Sequence, residues 1–250
     1  MKTLFISDLH LSPDQPELIR LATAFVAQQA NVDAFYLLGD IFNTWLGDDL
    51  IPDEFQLFIQ ALQQQQQQGT QMYLMVGNRD FMLGEKFAQM IGARLLPDPI
   101  VMDIYGHAVL LMHGDSLCTD DVGYQRYRRV VRNRWLQKLF LAMPLAVRQH
   151  ISDKIKAKSK QKKQFKQAQI MDVNPSAVRQ VMKQHNVQIL LHGHTHRPAI
   201  HHLDNLQGQA SYRLVLGDWH NQPSYIEMTA ENIRLIDARL PAGQQQLSLA

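Results

Sequence analysis

Side chains that bind metal ions follow short apolar runs at several places in this chain. Aspartate and asparagine supply hard oxygen ligands and histidine supplies imidazole nitrogen, a mixture that suits manganese, iron or zinc. Such a set can hold two ions ~4 Å apart with one carboxylate bridging them, which is the arrangement of two-metal hydrolases. The candidate ligands are Asp8, His10, Asp40, Asn78, His113, His194 and His196.

The apolar runs that precede these residues resemble buried strands in length and composition. Ligands at the ends of neighbouring strands meet at one edge of a sheet, so we expect the five runs to feed a single site. The runs cover residues 4–6, 34–38, 72–76, 109–112 and 189–191.

Helices are predicted between the first of these strands. Apolar residues recur at helical spacing over residues 16–30 and 53–67, so helix and strand alternate. Residues 212–216 and 225–228 are predicted to be later strands and are consistent with a second sheet. The tail from Pro241 is expected to fray.

Length and composition indicate an ordinary globular protein. With 250 residues and 46% hydrophobic residues, the chain is predicted to form a single domain, residues 1–250, with an insertion at 122–168. Cys118 is the only cysteine, which excludes an intrachain disulfide and a cysteine-based zinc site. The first residues lack a long apolar segment with a small-residue cleavage site, so we expect no secretory signal and a cytoplasmic location.

Charge is distributed very unevenly along the chain. Residues 124–166 contain 14 Lys or Arg and a single acid, a net charge of +13, whereas the remainder has 11 basic and 22 acidic residues, a net charge of −11. The basic segment is therefore the part expected to meet anions.

The same segment has the pattern of a cationic amphipathic helical hairpin, interrupted by Pro144. Its apolar stripe could pack on the core, as in an ordinary surface helix. We favour a lid that holds an anionic amphiphile or rests on anionic lipid headgroups. Nucleic acid is less favoured, because few aromatic side chains are available for base stacking. The stripe consists of Trp135, Leu136, Leu139, Phe140, Met143 and Val147.

The candidate ligands fall into five blocks whose order resembles that of a known family. The blocks are Asp8-x-His10, Gly39-Asp40, Gly77-Asn78-Arg79-Asp80, His113, and Gly193-His194-x-His196. Together they resemble the calcineurin-like metallophosphoesterases over residues 8 to about 196. The resemblance implies an α+β fold of two facing mixed β-sheets flanked by helices (α/β/β/α), with the metals at the sheet edges and a helical lid inserted.

The resemblance also implies a division of the ligands between two metals. One metal would be held by Asp8, His10 and His196. The other would be held by Asn78, His113 and His194, with Asp40 bridging both. Arg79, Asp40 and His113 are the residues expected to take part in catalysis.

Arg79 departs from the family pattern, which usually has a histidine after the Gly-Asn pair to help the leaving group. Arginine stays protonated and cannot usefully donate a proton, but it can clamp phosphate oxygens in a bidentate fork. The leaving group should then need no proton, as is true of a phosphate leaving from a pyrophosphate. Arg79 therefore favours cleavage of a phosphoanhydride.

Further motifs narrow the resemblance to the pyrophosphohydrolase family of the lipid A pathway, which splits UDP-2,3-diacylglucosamine. The resemblance implies two Mn²⁺ ions per chain and products UMP and 2,3-diacylglucosamine 1-phosphate, formed when metal-activated water attacks the phosphorus nearer uridine. It further implies a peripheral position at the inner face of the cell inner membrane. We also expect a monomer that binds no nucleic acid. The motifs are Trp45-Leu-Gly-Asp-Asp49, His113-Gly-Asp-Ser-Leu-Cys-Thr-Asp-Asp121 and Ile170-Met-Asp-Val-Asn174; the substrate contacts implied are Asn78, Arg79, Asp121, Ser159, Lys163, Lys166 and His194.

Two other functions remain open at this point. A metal-dependent nuclease or dinucleotide polyphosphatase would use the basic segment for nucleic acid or nucleotide. A non-catalytic scaffold on the same fold would be expected to lose metal ligands, and none of the seven is missing.

Overall fold

The computed structural model describes residues 1–163, 172–206 and 208–249, with the side chains of residues 158–163 and 204–206 outside the description. Within these ranges the chain forms twelve strands and seven α-helices. The strands are β1 (Lys2–Ile6), β2 (Val32–Leu38), β3 (Gln71–Met75), β4 (Ala93–Leu95), β5 (Ile100–Ile104), β6 (His107–Leu111), β7 (Ile189–His192), β8 (Ala199–Leu206), β9 (Gln209–Val215), β10 (Tyr225–Met228), β11 (Asn232–Ile236) and β12 (Gln244–Ser248). The helices are α1 (Pro16–Ala27), α2 (Gln56–Gln67), α3 (Glu85–Met90), α4 (Val122–Val131), α5 (Arg134–Leu141), α6 (Leu145–Lys163) and α7 (Pro175–His185).

The first sheet has seven strands in the order β12-β11-β10-β1-β2-β3-β4. Strands β1 to β4 are parallel, whereas β10 to β12 run antiparallel to their neighbours. The expectation that the tail from Pro241 frays is wrong, because residues 244–248 pair with β11 as an edge strand. Leu247 lies opposite Ile233 and packs against the core, and the adjacent glutamines conceal this strand in the sequence.

The second sheet has five strands in the order β5-β6-β7-β9-β8. All five predicted runs are strands, but only three of them lie in the first sheet, while β6 and β7 lie in the second. The expectation of one sheet edge is therefore wrong, because apolar runs reveal burial and not pairing partners. The two late strands also separate: β9 is in the second sheet and β10 in the first.

Three apolar cores confirm the predicted α/β/β/α layering. Helices α1, α2 and α3 cover the outer face of the first sheet, where Phe42 contacts the rings of Phe58 and Phe87. Side chains of both sheets fill the space between them, including Phe5 stacked on Tyr36. Helix α7 covers the outer face of the second sheet. Each sheet therefore buries both faces, which accounts for the continuous apolar runs.

The basic segment is helical up to residue 163, where its description ends, and these residues form three helices and not the predicted hairpin. The additional break is at Asn133, whose side chain caps α5 by accepting from the backbone N–H groups of Trp135 (3.0 Å) and Leu136 (3.2 Å). An asparagine cap begins a new helix because it satisfies donors that lack partners in the first turn. No helix in the described part of the chain is both long and apolar enough to cross a bilayer.

A buried arginine attaches α6 to the loop that follows β2. Arg148 is 3% exposed and donates to the backbone carbonyl of Leu46 at 2.6 Å. It also forms a two-pronged ion pair with Asp49, which belongs to the Trp45–Asp49 motif. The preceding Asp48 caps α3 through the backbone N–H groups of Gly84 and Phe87, so one short loop holds both helices.

We expect Arg148→Met to loosen α6, because the substitution removes the charged donor of three hydrogen bonds at a buried position. An unmade hydrogen bond to a charged group costs about 1–3 kcal/mol, so local opening should become about tenfold more frequent or greater. Hydrogen-exchange mass spectrometry of residues 145–157 measures this. Lys154→Met, an exposed position on the same helix, is the matched control. Equal exchange in both variants would contradict the anchoring role.

Candidate metal centre

The loops after β1 and β2 run side by side and present the first acidic ligands. Asp8 donates its backbone N–H to Gly39 at 3.0 Å, and His10 donates to Asp40 at 2.9 Å. Gly39 has φ of +88°, and a Cβ there would lie 2.6 Å from the backbone of Gly77, so this tight turn requires glycine.

Five of the predicted ligands hold their backbones in the left-handed region. Non-glycine residues rarely adopt it, and such conformations cluster at functional sites. The side chains of these residues lie close together around a common centre. The φ values are 55° at Asp8, 52° at His10, 53° at Asp40, 70° at His194 and 58° at His196.

Asp8, His10 and His196 form the first group of side chains that could hold a metal ion, with one ligand atom of each within 4.8 Å of the others. Nε2 of His10 lies 3.1 Å from Nε2 of His196, and Oδ1 of Asp8 lies 3.2 Å from the same nitrogen of His196. The other carboxylate oxygen of Asp8 accepts from the hydroxyl of Ser7 at 2.5 Å and from the backbone N–H of His194 at 2.9 Å. Asp8 is thereby oriented with Oδ1 toward the two imidazoles.

The second group consists of Asp8, Asp40 and His113, so Asp8 belongs to both. Nδ1 of His113 lies 3.0 Å from the carbonyl oxygen of Leu38, which can accept its proton. Nε2 then faces the amide oxygen of Asn78 at 3.0 Å and Oδ1 of Asp40 at 3.7 Å. A backbone carbonyl behind a histidine fixes the ring orientation that a metal ligand needs.

His194 lies beside the second group and belongs to neither. Its ring is 5.2 Å from that of His113 and 6.1 Å from that of Tyr124, measured between centroids. The structure therefore brings together all seven predicted ligands, and five of them form the two closely spaced groups.

Without metal, several side chains of the centre have pKa values above those usual for their residue types, so they bind protons at neutral pH. Burial opposes a charged imidazolium at His113, but the carboxylates of Asp40 and Asp8 outweigh it and raise its pKa to about 9. Burial is likewise outweighed at His196, where Asp218 and Asp8 raise the pKa to about 9. Burial raises the pKa of Asp40 to about 7. Burial lowers the pKa of His10 to about 4 and that of His194 to about 3, leaving both imidazoles neutral.

Two buried atoms at the centre test whether the residues fit a metal. Oδ1 of Asp8 and Nδ1 of His10 are buried and have no hydrogen-bond partner among the described residues. Leaving buried polar atoms unpaired costs free energy, so such atoms call for an explanation. A divalent cation bound between the carboxylates and imidazoles would satisfy the carboxylate oxygen and offset the crowded negative charge. The residues fit a metal of the borderline kind.

Three acidic residues with no predicted role hold the candidate ligands in position. Asp80 accepts four backbone N–H groups, among them those of Ile41 and Gly77 at 2.7 Å each. Asp218 accepts from Nδ1 of His196 at 3.1 Å and is itself bound by Arg239. Asp218 could have been found, because Leu216-Gly217-Asp218 follows an apolar strand as Leu38-Gly39-Asp40 does.

The third residue, Asp115, is fully buried behind His113 and connects the centre to α4. It accepts from the hydroxyl of Tyr124 at 2.6 Å and from Nε of Arg128 at 2.8 Å. Arg132 donates to the carbonyl of Gly77 at 2.9 Å. Some of the basic residues that were assigned to anions are therefore anchors, and their charge is partly used within the protein.

The predicted substrate contacts have mixed outcomes. The Arg79 side chain is exposed and forms no hydrogen bond with a described residue, while its backbone N–H donates to Asp40 at 2.7 Å. Asp121 caps α4 by accepting from the backbone N–H of Tyr124 at 3.0 Å. The side chains of Ser159 and Lys163, and the whole of Lys166, lie outside the described residues.

Comparison with known proteins agrees with this geometry. The family model for calcineurin-like phosphoesterases matches residues 1–198. A UDP-2,3-diacylglucosamine hydrolase of Serratia proteamaculans is 48% identical over 237 residues, which cover 94% of this chain and 98% of that protein. The enzyme of the same name from Escherichia coli O7:K1 is 46% identical over the same shares of both chains. The chain belongs to the UDP-2,3-diacylglucosamine hydrolase family of calcineurin-like phosphoesterases.

The family membership confirms the resemblance predicted from the five blocks. Among solved structures, a dimetal phosphatase from Danio rerio aligns with a TM-score of 0.53 and 12% identity, covering 100% of this chain and 98% of that one. At this identity the likeness concerns the fold alone. The assignment of individual residues to each metal and to substrate stays a prediction.

We expect the apparent affinity of this hydrolase for Mn²⁺ to rise with pH from about 6 to about 9 and then to level off. In the metal-free protein His113 and His196 have pKa values of about 9 and Asp40 of about 7, so all three are protonated at pH 6. A metal must displace those protons, and binding is weaker where more of them are present. Isothermal titration calorimetry in buffers of different ionisation enthalpy measures affinity and proton release. An affinity independent of pH would contradict this account.

Proposed function

We propose that this chain hydrolyses the pyrophosphate bond of UDP-2,3-diacylglucosamine, releasing UMP and 2,3-diacylglucosamine 1-phosphate for lipid A biosynthesis. The observation that carries the proposal is the 46–48% identity, over nearly full length, to hydrolases named for this substrate. The acidic and imidazole groups that converge after β1, β2, β6 and β7 support hydrolysis at phosphorus. No observation specifically favours a nuclease, a dinucleotide polyphosphatase or a scaffold.

Seven residues would hold two metal ions, for which we propose Mn²⁺. Asp8, His10 and His196 would bind one ion, and Asp40 would bridge to the second. Bound at such positions, two divalent cations activate water and stabilise charge on the transferring phosphoryl group. The second ion would be held by Asn78, His113 and His194.

The residues of the chain position and stabilise the reacting phosphate. Arg79 extends from the loop after β3 with its guanidinium available for phosphate oxygens. The carbonyl of Leu38 holds the ring of His113 so that Nε2 faces the centre. Since the leaving group is a sugar phosphate, it departs as an anion and needs no proton, and Arg79 can stabilise the charge through a bidentate contact.

The basic helical segment supplies the features expected of a lid for an anionic lipid. Trp135 and Leu139 on α5 are 79% and 60% exposed, so the apolar stripe does not pack on the core. Cationic helices with exposed apolar side chains bind the interface of anionic membranes. We therefore propose that α5 rests peripherally on the inner face of the inner membrane, where the substrate is available, and that the enzyme acts there as a monomer.

The activity prediction concerns the metal centre. Incubation of the protein and Mn²⁺ with UDP-2,3-diacylglucosamine should release UMP, detected by mass spectrometry. His113→Ala should reduce the rate by about a hundredfold or more, since loss of an outer-shell partner alone typically costs 10–100-fold. His107→Ala, in the same strand region but away from the centre, is the control. Absence of UMP with the wild type would refute the proposed function.

The membrane prediction concerns α5 alone. Trp135→Ser with Leu139→Ser should weaken binding to vesicles containing anionic phospholipid by about tenfold or more, because the two apolar side chains that would enter the membrane are lost. Hydrolysis of a water-soluble, short-acyl substrate should change less than about threefold. Leu57→Ser, at an exposed position on α2, is the control. If vesicle binding and short-acyl hydrolysis fall together, α5 serves as an acyl chamber and not as a membrane contact.

A further inference from the structure

A cavity of about 220 Å³ lies beside the loop that carries His194 and His196. Its floor is formed by the ends of β8 and β9, where His201 and Arg213 are cross-strand neighbours. Thr195 contributes to the wall from its position between the two histidines. The cavity and the metal centre therefore share one short loop.

Two hydrogen-bond donors in this cavity, Thr195 and Arg213, have no acceptor among the described residues. The Thr195 hydroxyl oxygen is buried and has no hydrogen-bond partner among the described residues. Arg213 is half-buried, and no hydrogen bond from its guanidinium is found in the part of the chain described. Burial lowers the pKa of Arg213, and burial together with Arg213 lowers that of His201. Thr195 and Arg213 are thus partly desolvated and lack, among the described residues, the hydrogen bonds that usually compensate for burial.

The other charges around the cavity are already compensated. Asp172 forms an ion pair with Arg197 and also accepts from the backbone N–H of Val173 at 2.8 Å. Arg239 donates to Asp218 at 2.6 Å and to Asp237 at 2.6 Å. Arg213 therefore contributes a guanidinium that has no hydrogen-bond acceptor among the described residues, and Asp172, whose charge also acts on Arg213, contributes the carboxylate at the wall.

The position of the cavity relative to the helical segment bears on which part of a substrate could enter it. Tyr124 of α4 lies against His194, so the basic helices approach the metal centre from the side of His194 and His113. The cavity adjoins the other end of the loop, near Arg197, and is linked to His196 through Asp218 and Arg239. Under the proposed function the diacyl sugar lies under the helices, so the nucleoside end must leave the centre in another direction.

We infer that this cavity binds the uracil base of the nucleotide end of the substrate. Uracil presents an acceptor, a donor and an acceptor along one edge. Its two carbonyl oxygens match the unpaired donors Arg213 and Thr195, with His201 beside them, and its ring N–H matches the carboxylate of Asp172. The inference rests on the proposed function and adds a base-reading subsite to it.

The test compares UMP with CMP on the Mn²⁺-loaded protein by isothermal titration calorimetry. CMP has the same ribose and phosphate, but its edge places a donor and an acceptor where uracil has the reverse. UMP should bind about tenfold more tightly than CMP, because a mismatched edge leaves partly buried polar groups unpaired. Arg213→Met should remove this preference by weakening UMP about tenfold. Arg94→Met, an exposed arginine on β4, should retain it.

Steady-state kinetics and a second variant distinguish a loss of base recognition from a loss of folding. With a short-acyl substrate, Arg213→Met should raise KM about tenfold and leave kcat within about threefold, because the base does not take part in the chemistry. Thr195→Val preserves side-chain shape and should weaken UMP but not inorganic phosphate. Thermal unfolding of each variant checks its fold.

Three results would overturn the inference: equal affinity of the wild type for UMP and CMP, unchanged UMP binding in Arg213→Met and Thr195→Val, or an equal loss of inorganic phosphate binding in both. Each leaves substrate hydrolysis by the wild type intact. Failure of the wild type to release UMP refutes the proposed function instead, so the two failures are distinguishable.

Discussion

One buried carboxylate, that of Asp80, joins the loops that carry the metal-binding residues. It accepts backbone N–H groups from residues 40–42 and from Gly77, and so connects the end of β2 to the end of β3. These contacts bring Gly77 so near to Asp40 that a Cβ there would lie 2.1 Å from its carboxylate. These hydrogen bonds to Asp80 fix the positions of Asp40, Asn78 and Arg79. A substitution at Asp80 would therefore disturb the centre without touching any proposed ligand.

Support of the same kind surrounds the rest of the centre. Ser7 and the backbone N–H of His194 orient Asp8, the carbonyl of Leu38 orients His113, and Asp218 orients His196. Such outer contacts fix ring and carboxylate orientation before any metal arrives. The left-handed backbone conformation at five ligands costs conformational free energy. The buried strands on either side of each loop hold the backbone in this conformation.

The alternation of helix and strand and the convergence of the ligands could be predicted from local patterns, whereas the α/β/β/α layering was implied by the resemblance to the family. Continuous apolar runs identify β1, β2 and β10 correctly, and the five blocks identify the family. Pairing is not local, so the division of β3 and β6 between two sheets could not be read from periodicity. The strand at Gln244–Ser248 is concealed because only its contact with β11 makes glutamine-rich backbone extended. The charge count also overestimated the number of basic side chains available to a ligand, because Arg128 binds Asp115 and Arg132 binds the carbonyl of Gly77.

The contact between Asp115 and α4 has a mechanical consequence. Asp115 follows His113 after only one residue, Gly114, which has φ of +116° and lies close to His192. Tyr124 and Arg128 of α4 donate hydrogen bonds directly to Asp115, so the helix contacts the centre itself. A displacement of α4 would therefore act on Asp115, which is only two residues from the proposed metal ligand His113. A contact that moved the helices at the surface would therefore also act on the position of His113 in the centre.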